Sequence, residues 1–151
     1  SLLAHAAYRM GEIAAANILD PEAHRRGEVM RWNTIPWAVY SIPEAAGIGL
    51  TEAQARARGG NIATATVPGA MSGRFVAENG VKAPGAAKLV YDADTLQVLG
   101  LCVVAPYASE MVWGASVALE TELNLNDLRQ VVFPHPTVSE LIREAAWAAK
   151  A

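Results

Sequence analysis

Lys88-Leu89-Val90-Tyr91-Asp92-Ala93-Asp94-Thr95-Leu96-Gln97-Val98-Leu99-Gly100-Leu101-Cys102-Val103-Val104 reads as a β-hairpin. Two runs rich in apolar residues, Lys88–Tyr91 and Gln97–Val104, flank the turn-forming Asp92-Ala93-Asp94-Thr95. Upstream, Asn61–Val67 alternates as another strand. Ala38-Val39-Tyr40 and Ala46-Gly47-Ile48-Gly49-Leu50 form two short strands around Ser41-Ile42-Pro43-Glu44. Downstream the period changes to helical. Met111, Val112, Ala115, Ala118 and Leu119 share one face, a shorter helix starts near Asn124 or Asn126, and Val138, Leu141, Ile142, Ala145 and Ala149 mark a last helix.

At the other end, Leu3, Ala6, Met10 and Ile13 have helical spacing, and the helix is expected to stop near Ile18, before an Asp20-Pro21 turn. Glu22–Arg31 is polar, unpatterned connection. Thr51 and Gln54 form a T-x-x-Q capping box that opens a short helix, and Gly59-Gly60 closes it. Gly69–Gly85, punctuated by glycine and proline, is expected to be loop. A block of strands followed by helices, with a hairpin inside it, predicts an α+β fold: a mostly antiparallel sheet of about five strands packed with helices.

The composition excludes several classes of function. The 151 residues are 52% hydrophobic and 18% charged, which supplies a core and argues against disorder. The net charge is -3, and Arg25, Arg26, Arg56 and Arg58 form no basic stripe, so no nucleic-acid partner is expected. No apolar run has membrane-spanning length, so no membrane partner is expected. His5, His24 and His135 are scattered, and no metal site is expected. Gly47-Ile48-Gly49 is not a dinucleotide site, because Glu52 stands where the third glycine belongs and would repel a pyrophosphate. The one cysteine, Cys102, lies in an apolar run and reads as a packed core thiol in a reducing, cytoplasmic setting. Ser1 follows no initiator Met or basic leader and reads as a cut end.

Chemistry concentrates in Phe133-Pro134-His135-Pro136-Thr137-Val138-Ser139-Glu140. Two prolines restrict the backbone around His135. Thr137 is the expected N-cap of the last helix, with Glu140 its capping-box partner. A carboxylate in the first turn can hold one imidazole nitrogen, leaving the other to exchange a proton near neutral pH. Read from spacing alone, the same residues also fit an exposed histidine beside an ordinary capping box.

His135-Pro136-Thr137-x-x-Glu140 resembles the His-Pro-Thr-x-x-Glu signature of the pyridine nucleotide-disulfide oxidoreductases. Leu2-Leu3-Ala4-His5-Ala6 resembles the flavin-side helix of the dihydrolipoamide dehydrogenases in that family. Tyr40-Ser41-Ile42-Pro43-Glu44 through Thr51-Glu52 resembles another of their segments. Leu99-Gly100, with Pro106 and Ala108-Ser109-Glu110, resembles the lead-in to their interface helix.

The resemblance implies that residues 1–20 are a helix leading out of an FAD domain and residues 21–151 are a dimerisation domain. It implies a homodimer whose parent enzyme uses FAD and NAD and oxidises a lipoyl-bearing protein or a small dithiol, with FAD and NAD domains elsewhere in the polypeptide. His135 would be the acid/base acting in the partner subunit's site, and Glu140 would orient it. Pro136, after a cis bond, and Thr137 would shape the turn, while Leu2, Leu3, Ala4 and His5 would lie against the flavin. This chain carries one cysteine and no C-x-x-x-x-C pair, so on its own it is expected to bind no cofactor and catalyse nothing. A stand-alone dimerisation module and a domain from a glutathione-reductase-like relative are the alternatives.

Overall fold

In a computed structural model, residues 2–20 and 22–150 are described. Pro21, half of the expected Asp20-Pro21 turn, and Ser1, the expected cut end, lie outside them. The chain divides into two compact units, residues 1–35 and residues 36–151.

The first unit holds α1 (Ala4–Leu19). Asn17 Nδ2 donates to the carbonyls of Ile13 (2.8 Å) and Glu28 (3.3 Å), and Arg9 pairs with both Glu12 and Glu28. These contacts fold the following segment back along the helix. That segment contains a short 3₁₀ turn, Ala23–Arg26, capped by Gly27 at φ 94°. Within α1 only Ala6 is buried, and Tyr8, Met10, Ile18 and Leu19 are exposed.

The second unit is a five-stranded antiparallel sheet in the order β1-β2-β5-β4-β3. Its strands are β1 (Trp37–Val39), β2 (Ala45–Gly49), β3 (Ile62–Pro68), β4 (Ala86–Asp92) and β5 (Val98–Val104). The α+β expectation holds. The β4–β5 turn forms because Asp92 Oδ1 accepts from the backbone N–H groups of Asp94 and Thr95, both at 2.9 Å. One sheet face presents Ile48, Val67, Leu89, Leu101 and Val103 to the apolar stripes of α4 (Ala108–Glu120) and α6 (Glu140–Ala148). That is the main core. On the opposite face, Ala55 of α2 (Glu52–Arg58) packs on Ile62 and Val90.

Both halves of the Thr51/Gln54 capping box are present, and α5 (Leu125–Gln130) is capped by Asn124. Gly100 marks a close crossing: a Cβ there would collide with the backbone of Leu50.

Three local expectations are corrected. Residues 69–85 are not simply loop, because they contain a 3₁₀ turn, Gly69–Met71, and α3 (Gly73–Asn79). The glycines misled for a definite reason. A Cβ on either Gly69 or Gly85 would lie 2.7 Å from the ring of Phe75, which is fully buried. These glycines make a slot for an aromatic ring. The second correction concerns Cys102, which is only half-buried and pairs in register with Gly47 and Lys88, outside the main core. Burial pushes its thiol up, and the Lys88 charge opposes that. The third concerns the Thr137 cap and is taken up with the site.

Candidate functional site

α6 begins at Glu140, after a turn through Val138 and Ser139, so Thr137 is not its N-cap. The Thr137 hydroxyl donates instead to the Pro134 carbonyl at 2.7 Å, closing the proline-rich turn on itself. Only the reciprocal half of the expected box forms: the Thr137 N–H donates to Glu140 Oε2 at 2.9 Å. The His135–Pro136 peptide is cis, as is Ile42–Pro43.

The other carboxylate oxygen, Glu140 Oε1, lies 2.8 Å from His135 Nδ1. The Glu140 side chain is 16% exposed and the His135 side chain 76%. A mostly buried carboxylate therefore grips one edge of an imidazole whose body stands in solvent. The Glu140 carboxyl lies below its ordinary range. The Thr137 N–H is the main cause, burial opposes it, and the hydrogen bond to His135 and the charges of His135 and Arg143 add to it. An ionised carboxylate can only accept, so Nδ1 carries the proton and Nε2 holds the lone pair of the neutral ring. The arrangement can take a proton at Nε2 and stabilise the resulting cation.

Sequence reasoning missed one residue of this structure. Ser72, 1% exposed, accepts the Phe75 N–H at 3.1 Å as N-cap of α3 and donates to the Thr137 carbonyl at 2.9 Å. The cap was legible as Ser before an apolar turn. The bond to Thr137 spans 65 residues and has no local signal.

Leu2, Leu3, Ala4 and His5 belong to the first unit and are all exposed. Leu3 is the N-cap of α1 and makes no side-chain cap. No group of three or more His, Cys, Asp or Glu side chains that could hold a metal ion occurs among the described residues. Nor is any helix there long and apolar enough to cross a membrane.

A groove of about 400 Å³ runs between α4, α5 and the segment before His135. Trp113, Val117, Val131 and Val132 line it and are exposed, with Phe133 and Ile142 beside them. Opposite polarity marks the start of α4, where Tyr107 sits at φ 67° and Glu44 Oε2 accepts the Ser109 N–H at 2.9 Å.

The site is thus an antiparallel α+β domain with an apolar helical groove next to a carboxylate-held histidine. The family model for the pyridine nucleotide-disulphide oxidoreductase dimerisation domain matches residues 35–146, and the chain belongs to that family. It is 42% identical over 147 residues to a dihydrolipoyl dehydrogenase of Thermus scotoductus, and 36% identical over 147 residues to one of Cupriavidus necator. Each match covers 97% of this chain and 30% of the relative, so the chain spans about 30% of the length of these curated relatives. Among solved structures, LpdA of Mycobacterium tuberculosis superposes with a TM-score of 0.74 at 28% identity, covering 87% of this chain and 29% of that one. The HOCl-induced flavoprotein disulfide reductase RclA of Escherichia coli superposes with a TM-score of 0.73 at 27% identity, covering 86% of this chain and 30% of that one.

Proposed function

We propose that this chain is the dimerisation part of a flavin-dependent, NAD-linked reductase of the dihydrolipoyl dehydrogenase kind, and that His135 is the acid/base of its dithiol–disulfide exchange. The observation that carries this reading is the 2.8 Å contact between His135 Nδ1 and a Glu140 carboxylate already fixed by the Thr137 N–H.

A thiolate, not a thiol, attacks a disulfide. His135 Nε2 takes the proton of one substrate thiol. The sulfur so exposed attacks one sulfur of an active-site disulfide, forming a mixed disulfide and releasing the other as thiolate. The imidazolium passes its proton to the released enzyme thiolate, and the neutral ring then accepts the proton of the second substrate thiol, whose sulfur displaces the remaining enzyme sulfur as a thiolate and leaves oxidised substrate and a reduced enzyme pair. Glu140 stabilises the imidazolium at each proton transfer. Bound flavin and nicotinamide would carry the two electrons away.

The disulfide is proposed to belong to the second copy, because the apolar groove beside the histidine supplies a surface for subunit association. The exposed start of α1 suits Leu2–His5 to lie against a flavin edge. On this reading residues 1–20 continue an FAD domain, residues 21–151 form the dimerisation domain, Pro136 and Thr137 hold the turn, and the enzyme works in the cytoplasm on a lipoyl-bearing protein or small dithiol.

The test is His135→Gln in the full-length polypeptide. The dithiol half-reaction should fall by roughly 10²–10⁴-fold. An unchanged rate would remove His135 from the mechanism and leave a dimerisation role alone.

A further inference from the structure

We propose that Ser72 is a positioning residue for the His135–Glu140 pair, holding the turn that carries it through the Thr137 carbonyl. The inference rests on the reading of His135 as the acid/base.

Ser72 is the one buried polar residue among those described. Its hydroxyl is fully committed: it accepts from Phe75 N and donates to Thr137 O. The first bond ties it to α3, whose Phe75 is locked between Gly69 and Gly85 in the main core. The second reaches the residue whose N–H grips Glu140 Oε2. Thr137 is therefore held at three points: its carbonyl by Ser72, its hydroxyl on Pro134, and its N–H on the carboxylate. Of these three bonds, only the one to Ser72 ties the turn to an element remote in sequence. The other two are local and would move with it.

A carboxylate orients an imidazole only if it stays within hydrogen-bond reach and angle, and displacements of about 1 Å are enough to cost orders of magnitude in rate. α6 fixes the Glu140 backbone, while His135 rides on the turn. Ser72 sets the one relative to the other. Helix capping alone would not require the bond to Thr137, because the cap needs only the acceptor lone pair.

The experiment compares Ser72→Ala, Ser72→Gly and Ser72→Thr with His135→Gln in the full-length holoenzyme. It reads the dithiol half-reaction, and also electron transfer from reduced nicotinamide to a one-electron dye, which needs no thiol proton. Glycine is a tolerated N-cap, so Ser72→Gly tests the clasp even if Ser72→Ala folds poorly. Expected for Ser72→Ala and Ser72→Gly is a kcat loss of about 5- to 15-fold in the dithiol half-reaction, the worth of one hydrogen bond. KM and dye reduction should be unchanged, and Ser72→Thr, which keeps the hydroxyl, should restore the rate.

Wild-type kcat in Ser72→Gly, alongside a slowed His135→Gln enzyme, would overturn the proposal. Equal losses in dye reduction would also overturn it, by reducing Ser72 to a scaffold role. If His135→Gln itself is unimpaired, the acid/base reading has failed and this proposal falls with it.

Discussion

His135 Nδ1 and Glu140 Oε1 are 2.8 Å apart, across a turn in which the second oxygen of the same carboxylate accepts the Thr137 N–H. One carboxylate is thus shared between the functional side chain and the backbone that carries it. Replacing Glu140 by Gln sets an amide where two donors converge, and its NH₂ group must face one of them. Losing a charge-assisted hydrogen bond is worth about 1.5–3 kcal/mol, so Glu140→Gln should slow the dithiol half-reaction by roughly 10- to 100-fold. Stopped-flow kinetics on the full-length polypeptide measure this, and a rate within two- or three-fold of wild type, roughly the scatter of such comparisons, would contradict it.

Acid should unfold the domain for reasons the carboxylates define. Glu140, Asp92 and Glu52 all lie below their ordinary values, through the Thr137 N–H, the Thr95 N–H and the Lys88 hydrogen bond respectively. A depressed carboxylate stabilises the fold above its unfolded value, and that contribution is lost as pH falls through the folded one. With ordinary values of 4.5 for Glu and 3.8 for Asp, the contribution of these three carboxylates is fully present at neutral pH and starts to fade below about pH 5. Urea unfolding midpoints across this range test it. Asp92→Asn should flatten the acid limb, and an unaltered limb would count against the assignment.

Self-association is expected through the groove formed by α4, α5 and the segment before His135. Trp113 is 74% exposed and Val132 93%, an arrangement that costs free energy unless covered. Sedimentation of the wild-type chain should give a dimer, and Trp113→Asp or Val132→Glu should yield monomer without loss of secondary structure. Monomer throughout for the wild type, at high micromolar concentration, would reject the groove as the interface.

At the β2–β5 crossing, Gly100→Ala should destabilise the fold by about 1–3 kcal/mol, because the new methyl meets rigid backbone at Leu50 and no flexible side chain can yield. Thermal denaturation reads this directly. A melting temperature unchanged from wild type would mean that the two strands separate more easily than their hydrogen bond, Leu50 N–H to Leu99 O at 2.8 Å, implies.

The cap supplied by Glu44 offers a milder test. Its carboxylate accepts the Ser109 N–H at the start of α4 from a loop 65 residues away. Glu44→Ala should cost about 0.5–2 kcal/mol, and equilibrium unfolding in urea would reveal no change if the helix start finds another acceptor.

Where a signal was local, the chain declared it. The Asp92 turn, the Thr51/Gln54 box, the apolar stripe from Met111 to Leu119 and the His135–Glu140 spacing each depend on residues within one or two turns of each other. Alternation and period therefore sufficed to read the α+β class and the strands, while the His135–Glu140 pair showed in its spacing and was singled out by the resemblance to the His-Pro-Thr-x-x-Glu signature. Tertiary structure decided what no local period or motif encodes. Gly69 and Gly85 read as loop punctuation because no motif announces that the ring of Phe75 packs against both, yet it is that ring that excludes a side chain at either position. Thr137 read as a helix cap because its hydroxyl could have turned toward Glu140. Packing of the turn sends it to Pro134 and leaves the carboxylate to hold His135. Ser72 went unread within a segment expected to be loop, and the carbonyl it also binds lies 65 residues away. Ser72 and Thr137 are 65 residues apart, and even the nearer partners of Gly69, Gly85 and Thr137 are chosen by packing of the fold as a whole, which no local motif encodes.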